Sequence, residues 1–327
     1  MPLPTVLVTE VIRSSKQGES HGGAHLVNLE TGTHRRVLDW DEMGIDWSGR
    51  GGGRGLRGIA FHRERVVIGA GNEIFLFDPD FNLLSSHPAP YCRDCHEIFL
   101  DGDRLLITAT GFDALLEFDL GTLSYTGGLH FSVKQTKVPT PQGPRVVPMV
   151  FGAAFDPDTP DGPAQADTLH INAVWHERGH TFIGGTTMSA LLMSPAGASL
   201  AERGGMFKPV AAVPNWTHNV RPFRGGALYN ATRGEQIVWS DPRGTAIKSL
   251  PIPRFPREQL IDSGVPEDHA RPDFGRGLTV TDDGIVIGSA SPSTITAYDL
   301  ERESVITSVN LTADVRNAPH GLEIWPF

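Results

Sequence analysis

Residues 96–119, HEIFLDGDRLLITATGFDALLEFD, decide the fold because four other segments follow the same plan. Each segment opens with His or Arg, runs into a short apolar stretch and, after a polar turn, reaches a second stretch that ends in small residues. A third stretch ends at Asp or Ser, and a weaker fourth one follows. The other four segments are RGIAFHRERVVIGAGNEIFLFD (57–78), HINAVWHERGHTFIGGTTMSALLMS (170–194), HNVRPFRGGALYNATRGEQIVWSD (218–241) and RGLTVTDDGIVIGSASPSTITAYD (276–299). The fourth stretches are assigned to SYTGGLHF (124–131), ASLAER (198–203), TAIKSLPI (245–252) and ESVITSVNL (303–311).

Four short antiparallel strands per unit, repeated along the chain, are typical of β-propeller blades. A further unit is split between the chain ends, because HGLEIW (320–325) opens like an innermost strand and three strand patterns lie within residues 5–40. Pairing these segments closes the ring and removes free sheet edges. We therefore predict an all-β fold, a single six-bladed β-propeller over residues 1–327. The blades are expected near 57–90, 96–130, 170–203, 218–252, 276–310, and 320–327 with 5–40.

The alternatives to this architecture are five or seven blades, or a β-sandwich with chance similarity among its strands. Two insertions interrupt the repeat. The Pro-rich residues 131–169 are interpreted as an elaborated loop across one face, although they are long enough to contain a hairpin. Residues 253–275 contain a short helical candidate around 258–262.

Composition excludes several classes of protein. Thirty-seven Gly and 25 Pro in 327 residues indicate many turns and argue against a mainly helical chain. A net charge of −10 argues against binding to nucleic acid or to an anionic membrane surface. No stretch approaches the roughly 18 apolar residues of a membrane helix, and the first residues do not resemble a signal peptide. We therefore expect a cytoplasmic protein.

One column of the repeat is polar throughout. Since the first strand of each blade lines the central channel, residues at its start are expected to converge at one mouth of the propeller. The column contains Arg57, His96, His170, His218, Arg276 and His320. Neutral imidazoles that share a cation repel less than clustered imidazolium ions, so the four histidines predict a metal site. Fe(II) is the favoured ion, with copper and zinc as alternatives, and a polar channel holding water or a small anion is the other interpretation.

The two arginines of the column predict the substrate. Arg57 and Arg276 would be repelled by a metal unless an anion lay between, so we assign them to gripping a carboxylate, sulfonate or phosphate group. Salt bridges to Asp94 or Asp273 are the alternative, and Asp94 is also a candidate to orient His96. The resulting hypothesis is a metal-dependent oxidoreductase that acts on a small anionic organic substrate with dioxygen. A metal-assisted lyase or hydrolase and a non-catalytic interaction scaffold are the rival functions.

Two local motifs need an interpretation. CRDCH (92–96) matches the attachment pattern of c-type haem, but the register of the repeat already explains the histidine, so Cys92 and Cys95 are interpreted as buried thiols near the channel mouth. GRGGGRGLRG (49–58) lacks the Lys-Ser/Thr of a phosphate-binding loop and is interpreted as the flexible connection into the second blade. Disorder is the simpler interpretation of this segment, and a lid over the channel mouth is the alternative.

The sequence also resembles known families. CHEIFLDGDRLLITATGFDALLEFDL (95–120), LHINAVW (169–175) and PHGLEIW (319–325) look like an uncharacterised branch of the bacterial six-bladed propellers of the strictosidine-synthase, gluconolactonase and NHL-like group. This resemblance covers most of the chain and implies the fold without a reaction. Separately, the set His96, His170, His218 and His320 resembles the four histidines that hold a ferrous ion on the axis of carotenoid-cleaving oxygenases. That likeness implies axial metal chemistry.

Overall fold

The chain is built almost entirely of β-strands. The computed structural model describes residues 2–16, 18–40, 55–88, 90–139, 143–265 and 271–327. Within these ranges the helical elements are two single turns of 3-10 helix, at Ala201–Arg203 and Arg257–Gln259. The second turn falls on the helical candidate of residues 258–262, which is therefore shorter than expected.

Four sheets contain four antiparallel strands each. The sheet that joins the chain ends has the order β25-β1-β2-β3, formed by β1 (Thr5–Ile12), β2 (Gly22–Asn28), β3 (Thr33–Asp39) and β25 (Asn317–Ile324). The next contains β4 (Ile59–His62), β5 (Arg65–Ala70), β6 (Glu73–Phe77) and β7 (Leu83–Pro88). The third contains β17 (Thr217–Phe223), β18 (Gly226–Ala231), β19 (Gln236–Ser240) and β20 (Ala246–Pro251). The fourth contains β21 (Gly275–Val280), β22 (Ile285–Ala290), β23 (Thr294–Asp299) and β24 (Ser304–Asn310).

The remaining strands form one sheet of nine. Its first four are β8 (Ile98–Asp101), β9 (Arg104–Ala109), β10 (Ala114–Asp119) and β11 (Ser124–Val138). The others are β12 (Arg145–Phe155), β13 (Ile171–Glu177), β14 (His180–Gly185), β15 (Ala190–Met193) and β16 (Gly205–Ala212). The order is β13-β14-β15-β16-β12-β11-β10-β9-β8, so β12 lies between two groups of four strands.

The loop interpretation of residues 131–169 was wrong over its first half. β11 and β12 pair continuously from Gly128 with Phe155 to Val138 with Arg145, which makes a long hairpin. Pro139 and Pro144 lie beyond the strand ends, whereas Pro148 lies inside β12 and pairs with Gln135. Pro148 is tolerated there because β12 pairs with β16 only from Val150 to Gly152, so its position has a strand on one side alone. The assignment of 198–203 to a fourth strand was also wrong. The Glu202 carboxylate accepts a hydrogen bond from the Ala198 backbone N–H at 2.7 Å, which closes a turn, and the strand begins only at Gly205.

The sheets are arranged radially around an axis. Their first strands contact one another in the cyclic order β4, β8, β13, β17, β21, β25 and back to β4. Apolar cores lie between neighbouring sheets; one of them contains Val67 and Leu76 from one sheet and Leu105 and Leu116 from the next. This arrangement is a β-propeller, as predicted, and the predicted pairing of the C-terminal strand with the N-terminal strands is confirmed.

Close packing between sheets explains why small residues end the second strand of the repeat. A Cβ atom added to Gly184 in β14 would lie 2.0 Å from Cγ1 of Val220 in β17 of the next sheet. The aspartates that end the third strand have a local function, since the Asp119 carboxylate accepts backbone N–H groups of Gly121 at 2.8 Å and Thr122 at 2.7 Å. These hydrogen bonds fix the turn into the fourth strand.

Candidate functional site

The polar column lies where the innermost strands begin. Arg57, His96 and His170 come within two residues before β4, β8 and β13, whereas the other three lie inside β17, β21 and β25. A cavity of about 730 Å³ opens among them. Its wall includes Arg57, His96, His170, His218 and Arg276, and His320 is buried beside it. The structure therefore brings the predicted residues together around one pocket, and their functional roles stay predictions.

His320 lies between two guanidinium groups. Its Nδ1 is 3.0 Å from the Ala318 carbonyl oxygen, which can only accept, so Nδ1 carries the hydrogen. Nε2 is then the acceptor, and it lies 3.2 Å from Nη2 of Arg13 and 3.2 Å from Nη1 of Arg276. Burial lowers the pKa of His320 well below its ordinary value, and the positive charges of Arg276 and Arg13 lower it further. His320 is therefore a neutral acceptor shared by two cations.

His96 is oriented in the same way. Its Nδ1 lies 2.8 Å from the Asp94 backbone carbonyl oxygen and 2.9 Å from Thr110 Oγ1. Nη1 of Arg57 lies 3.2 Å from Nδ1 and 3.4 Å from Nε2, so this guanidinium contacts both ring nitrogens. Burial lowers the pKa of His96 well below its usual range, and the charge of Arg57 adds to the effect. The Asp94 carboxylate was expected to orient His96, but the backbone of Asp94 does so instead. The carboxylate faces Arg57 at 3.5 Å, a long ion pair.

The other two histidines differ in their surroundings. His170 Nδ1 lies 2.9 Å from the Asp167 carboxylate, and 31% of its side chain is exposed, so its Nε2 is free to act as a base. Its ring centroid is 5.1 Å from that of His96. His218 is buried with its ring 5.5 Å from that of Phe274, and burial together with the charge of Arg276 lowers its pKa well below the ordinary value.

The pocket is cationic although the chain as a whole carries a net charge of −10. Among the described residues that line it, five arginines face two aspartates. The arginines are Arg13, Arg57, Arg233, Arg271 and Arg276, and the aspartates are Asp94 and Asp167. Burial lowers the pKa of Arg276 well below its usual value, with Arg13 and Arg57 as further causes. Like charges thus lie closer together here than a protein ordinarily tolerates.

These side chains do not fit a metal ion as they are arranged. Across the described ranges, no group of three or more His, Cys, Asp or Glu could hold one. The Nε2 atom of His320, the nitrogen left free to ligate, accepts from two guanidinium groups, and a cation there would be repelled by both. The four-histidine metal centre therefore stays a prediction that this arrangement does not support.

Several pocket residues lie outside the polar column and were missed. Arg13 comes from the chain just after β1, and Arg233 and Arg271 come from loops. Trp216 and Phe274 also line the pocket, and each lies two residues before a column residue. A second pocket-lining column was thus available in the repeat, because Asp94 has the same offset from His96 and lines the same cavity.

A second polar group lies further along the innermost strands. The Glu97 carboxylate accepts hydrogen bonds from Asn219 Nδ2 at 3.2 Å and from the Val174 backbone N–H at 3.1 Å. Burial raises the pKa of Glu97 to about 7 and that of Glu323 to about 7. Arg221 is buried near both and attracts their negative charge. These carboxyl groups are therefore partly protonated near neutral pH.

The two local motifs can also be placed. Cys92 and Cys95 are free and buried, as expected. The hydrogen bond that the Cys92 thiol donates to Cys95, together with burial, raises the pKa of Cys92 well above its ordinary value, so it is not a reactive thiolate at neutral pH. Residues 49–54 of the Gly-rich connection, for which a lid was the alternative, lie outside the described residues. In the described part of the chain, no helix is long and apolar enough to cross a membrane.

Comparison with known proteins supports the fold alone. A scan against models of protein families matches none of them to this chain, and a search of curated protein sequences likewise gives no match. Among solved structures, a protein of unknown function from Bacteroides caccae is similar with a TM-score of 0.54 and 10% identity, covering 98% of each chain. AztD from Citrobacter koseri, in its apo form, has a TM-score of 0.44 and 9% identity over 97% of each chain. The Cps50 (Swd1) β-propeller domain from Myceliophteria thermophila has a TM-score of 0.44 and 11% identity over 79% of this chain and 87% of its own.

Proposed function

We propose that this chain is a six-bladed propeller that binds a small organic anion in the pocket on its axis. Arg13, Arg57 and Arg276 are the residues that hold the anion, and the neutral histidines keep their guanidinium groups in place. The observation that carries this proposal is the pair of guanidinium groups on His320 Nε2, with no carboxylate of the described residues in an ion pair with Arg276. An anion between these groups would neutralise their mutual repulsion.

Six blades follow from dividing the nine-stranded sheet at β12. The groups β8–β11 and β13–β16 each contain four strands, and four further sheets have the same number. β12 pairs with β11 on one side and with β16 on the other, so it joins two blades and does not form one of its own. A small-angle scattering profile that fits a seven-bladed ring better would contradict this count.

Unused hydrogen-bond donors support an anionic ligand. The Nε atoms of Arg57 and Arg276 are buried and have no hydrogen-bond partner in the described part of the chain. A buried N–H group without a partner costs free energy, and a charged acceptor is the partner that recovers most of it. The volume of about 730 Å³ is within the range of sites that bind metabolite-sized molecules.

Calorimetric titration with inorganic phosphate, sulfate and citrate at low ionic strength tests the proposal. We expect binding by the wild-type protein, and binding about tenfold or more weaker in Arg57→Gln, because one charge-assisted contact is lost. Arg302→Gln is the matched control, since its side chain is 83% exposed outside the pocket. Absence of binding by all three anions, or equal affinity in both variants, would refute the proposal.

Acid–base chemistry on the bound anion is a second candidate function, favoured by the His170–Asp167 pair. A carboxylate on Nδ1 fixes the tautomer in which Nε2 is a base, the arrangement that a proton-abstracting lyase or a hydrolase requires. If this is the function, His170→Gln abolishes turnover of an anionic substrate and leaves its affinity within about threefold. A parallel loss of affinity and turnover would instead make His170 part of the binding site.

The metal-dependent oxidoreductase stays a further alternative. It requires metal in the freshly purified protein and loss of that metal in the His170→Ala, His218→Ala double variant. Negligible metal in both proteins would exclude it. The interaction-scaffold hypothesis predicts instead that histidine substitutions leave function intact. A cytoplasmic location remains part of the proposal, to be tested by cell fractionation.

A further inference from the structure

Trp216 combines two unusual features at the pocket. It lines the cavity, and 43% of it is exposed, although a large aromatic side chain is usually buried. Its backbone has φ of 68°, in the left-handed region that bulky residues rarely adopt. Strain of this kind persists where the surrounding structure holds it, often at a site that binds a ligand.

The repeat explains how the strain arises. The residue two before the polar column is left-handed in two other units, at Gly55 with φ of 84° and at Asp94 with φ of 51°. Gly and Asp adopt this conformation far more readily than Trp. Trp216 therefore occupies a position whose backbone favours small or Asx residues, and a packing requirement does not account for so large an exposed ring.

Neighbouring groups hold the Trp216 ring firmly. Its backbone N–H donates to the Thr186 carbonyl oxygen at 2.7 Å, and the Thr232 hydroxyl donates to its carbonyl oxygen. The Arg233 guanidinium lies 4.3 Å from the ring centroid, in a cation–π contact. The ring is thus a fixed, partly open surface on the wall of a cationic pocket.

Part of the anion-holding group packs on a second aromatic residue of the pocket wall, Phe274. Phe274 has the Arg276 guanidinium 4.3 Å from its ring centroid, the Arg271 guanidinium at 4.7 Å and the His218 ring at 5.5 Å. His218 follows Trp216 by two residues. Phe274 is covered by these cations, so it acts as a positioning residue, and Trp216 is the aromatic surface that a ligand can reach.

We infer that the ligand is an aromatic anion, whose negative group is held by Arg13, Arg57 and Arg276 while its planar ring stacks on Trp216. This inference rests on the proposed anion-binding function and adds the chemical class of the ligand. A planar ring stacks well on an indole face and on a flat guanidinium group, and Trp216 and Arg233 provide these two surfaces in the pocket wall.

Calorimetric titration with phenyl phosphate and methyl phosphate tests the inference. Both ligands carry the same charged group, so the difference between their affinities measures the contribution of the ring. The wild-type protein should bind phenyl phosphate at least about fivefold more tightly than methyl phosphate. Trp216→Leu should remove that preference and leave the affinity for methyl phosphate within about twofold. Phe327→Leu is the matched control, because Phe327 is 45% exposed and is not among the residues that line the pocket.

A second variant distinguishes loss of the stacking surface from misfolding of the protein. Trp216→Gly suits the left-handed backbone, so it should melt no lower than the wild type and still lose the preference for phenyl phosphate. Equal wild-type affinity for the two phosphates refutes the aromatic inference and leaves the anion-binding function standing. Failure of both phosphate esters to bind refutes the aromatic inference, and it refutes the anion-binding function as well when inorganic phosphate, sulfate and citrate also fail to bind. Equal weakening of both ligands in Trp216→Leu shows a structural role only and also overturns the inference.

Discussion

Replacing Arg276 by Gln should change stability and anion binding in opposite directions. Arg13 and Arg276 both contact His320 Nε2 at 3.2 Å, so their nearest nitrogens are at most twice that distance apart. Two positive charges at this separation repel by about 2–3 kcal/mol at an effective dielectric constant of about 20. Arg276→Gln removes this repulsion, whereas the Arg13 contact to His320 remains.

The expected gain in stability is smaller than the repulsion itself. Loss of the hydrogen bond from Arg276 to His320 costs about 1 kcal/mol. We therefore expect the ligand-free variant to be more stable by about 1–2 kcal/mol, which corresponds to a Tm about 1.5–3 °C higher for a domain of this size. For anion binding, loss of a charge-assisted contact of about 1.5–3 kcal/mol weakens affinity by roughly 10–100-fold.

Thermal denaturation over a series of phosphate concentrations measures both effects. Without phosphate the variant should melt above the wild type, and the order should reverse once phosphate stabilises the wild type through binding. The exposed variant Arg302→Gln should follow the wild type throughout. A lower Tm for Arg276→Gln without phosphate, together with an unchanged response to phosphate, would refute the electrostatic reasoning.

Three further predictions test other parts of the structure. Anion binding should tighten between pH 8 and pH 6, because a bound anion raises the lowered pKa values of His96, His218 and His320 and protons are taken up. Calorimetry that detects no proton uptake in two different buffers would contradict this. Burial raises the pKa of Glu97 to about 7, so the folded wild type loses stability as pH rises from the ordinary carboxyl pKa through 7. Glu97→Gln should therefore raise Tm more at pH 8 than at pH 5. An equal rise in Tm at the two pH values would show that ionisation of buried Glu97 does not destabilise the fold. Gly184→Ala should lower the free energy of unfolding in urea by about 1–3 kcal/mol, because its Cβ would meet Val220. The control Gly127→Ala, whose Cβ would have no atom nearby, should change it by no more than about 0.5 kcal/mol. A loss at Gly184 as small as the loss at Gly127 would show that the sheets pack less closely.

The internal repeat made most of the architecture predictable. The position of His96 and its equivalents located the start of each innermost strand to within a few residues. The hairpin of β11 and β12 was harder, because its sequence is rich in proline and turn residues that ordinarily mark loops. Its pairing depends on the extra length of β11 beyond the repeat, which no other unit shares.

The position of the candidate site could be predicted from the sequence, but the side-chain contacts within the site could not. Register alone indicated that four histidines and two arginines would meet. It could not indicate that Arg13, outside the column, would reach His320, or that a backbone carbonyl would fix the tautomer of each of two rings. Those contacts depend on side-chain directions across separate sheets, which spacing along the sequence does not encode.

Closure of the ring has a consequence for how the protein acquires its ligand. Arg13 and His320, which touch in the pocket, are 307 residues apart and come together only when β25 pairs with β1. A growing polypeptide therefore lacks a complete binding site until β25 has been synthesised and has docked on β1. Bound ligand in turn stabilises the closed ring relative to any partly opened ring. A protein with ligand in the pocket is therefore one whose ring has closed, and binding protects the pairing of β25 with β1 from fraying.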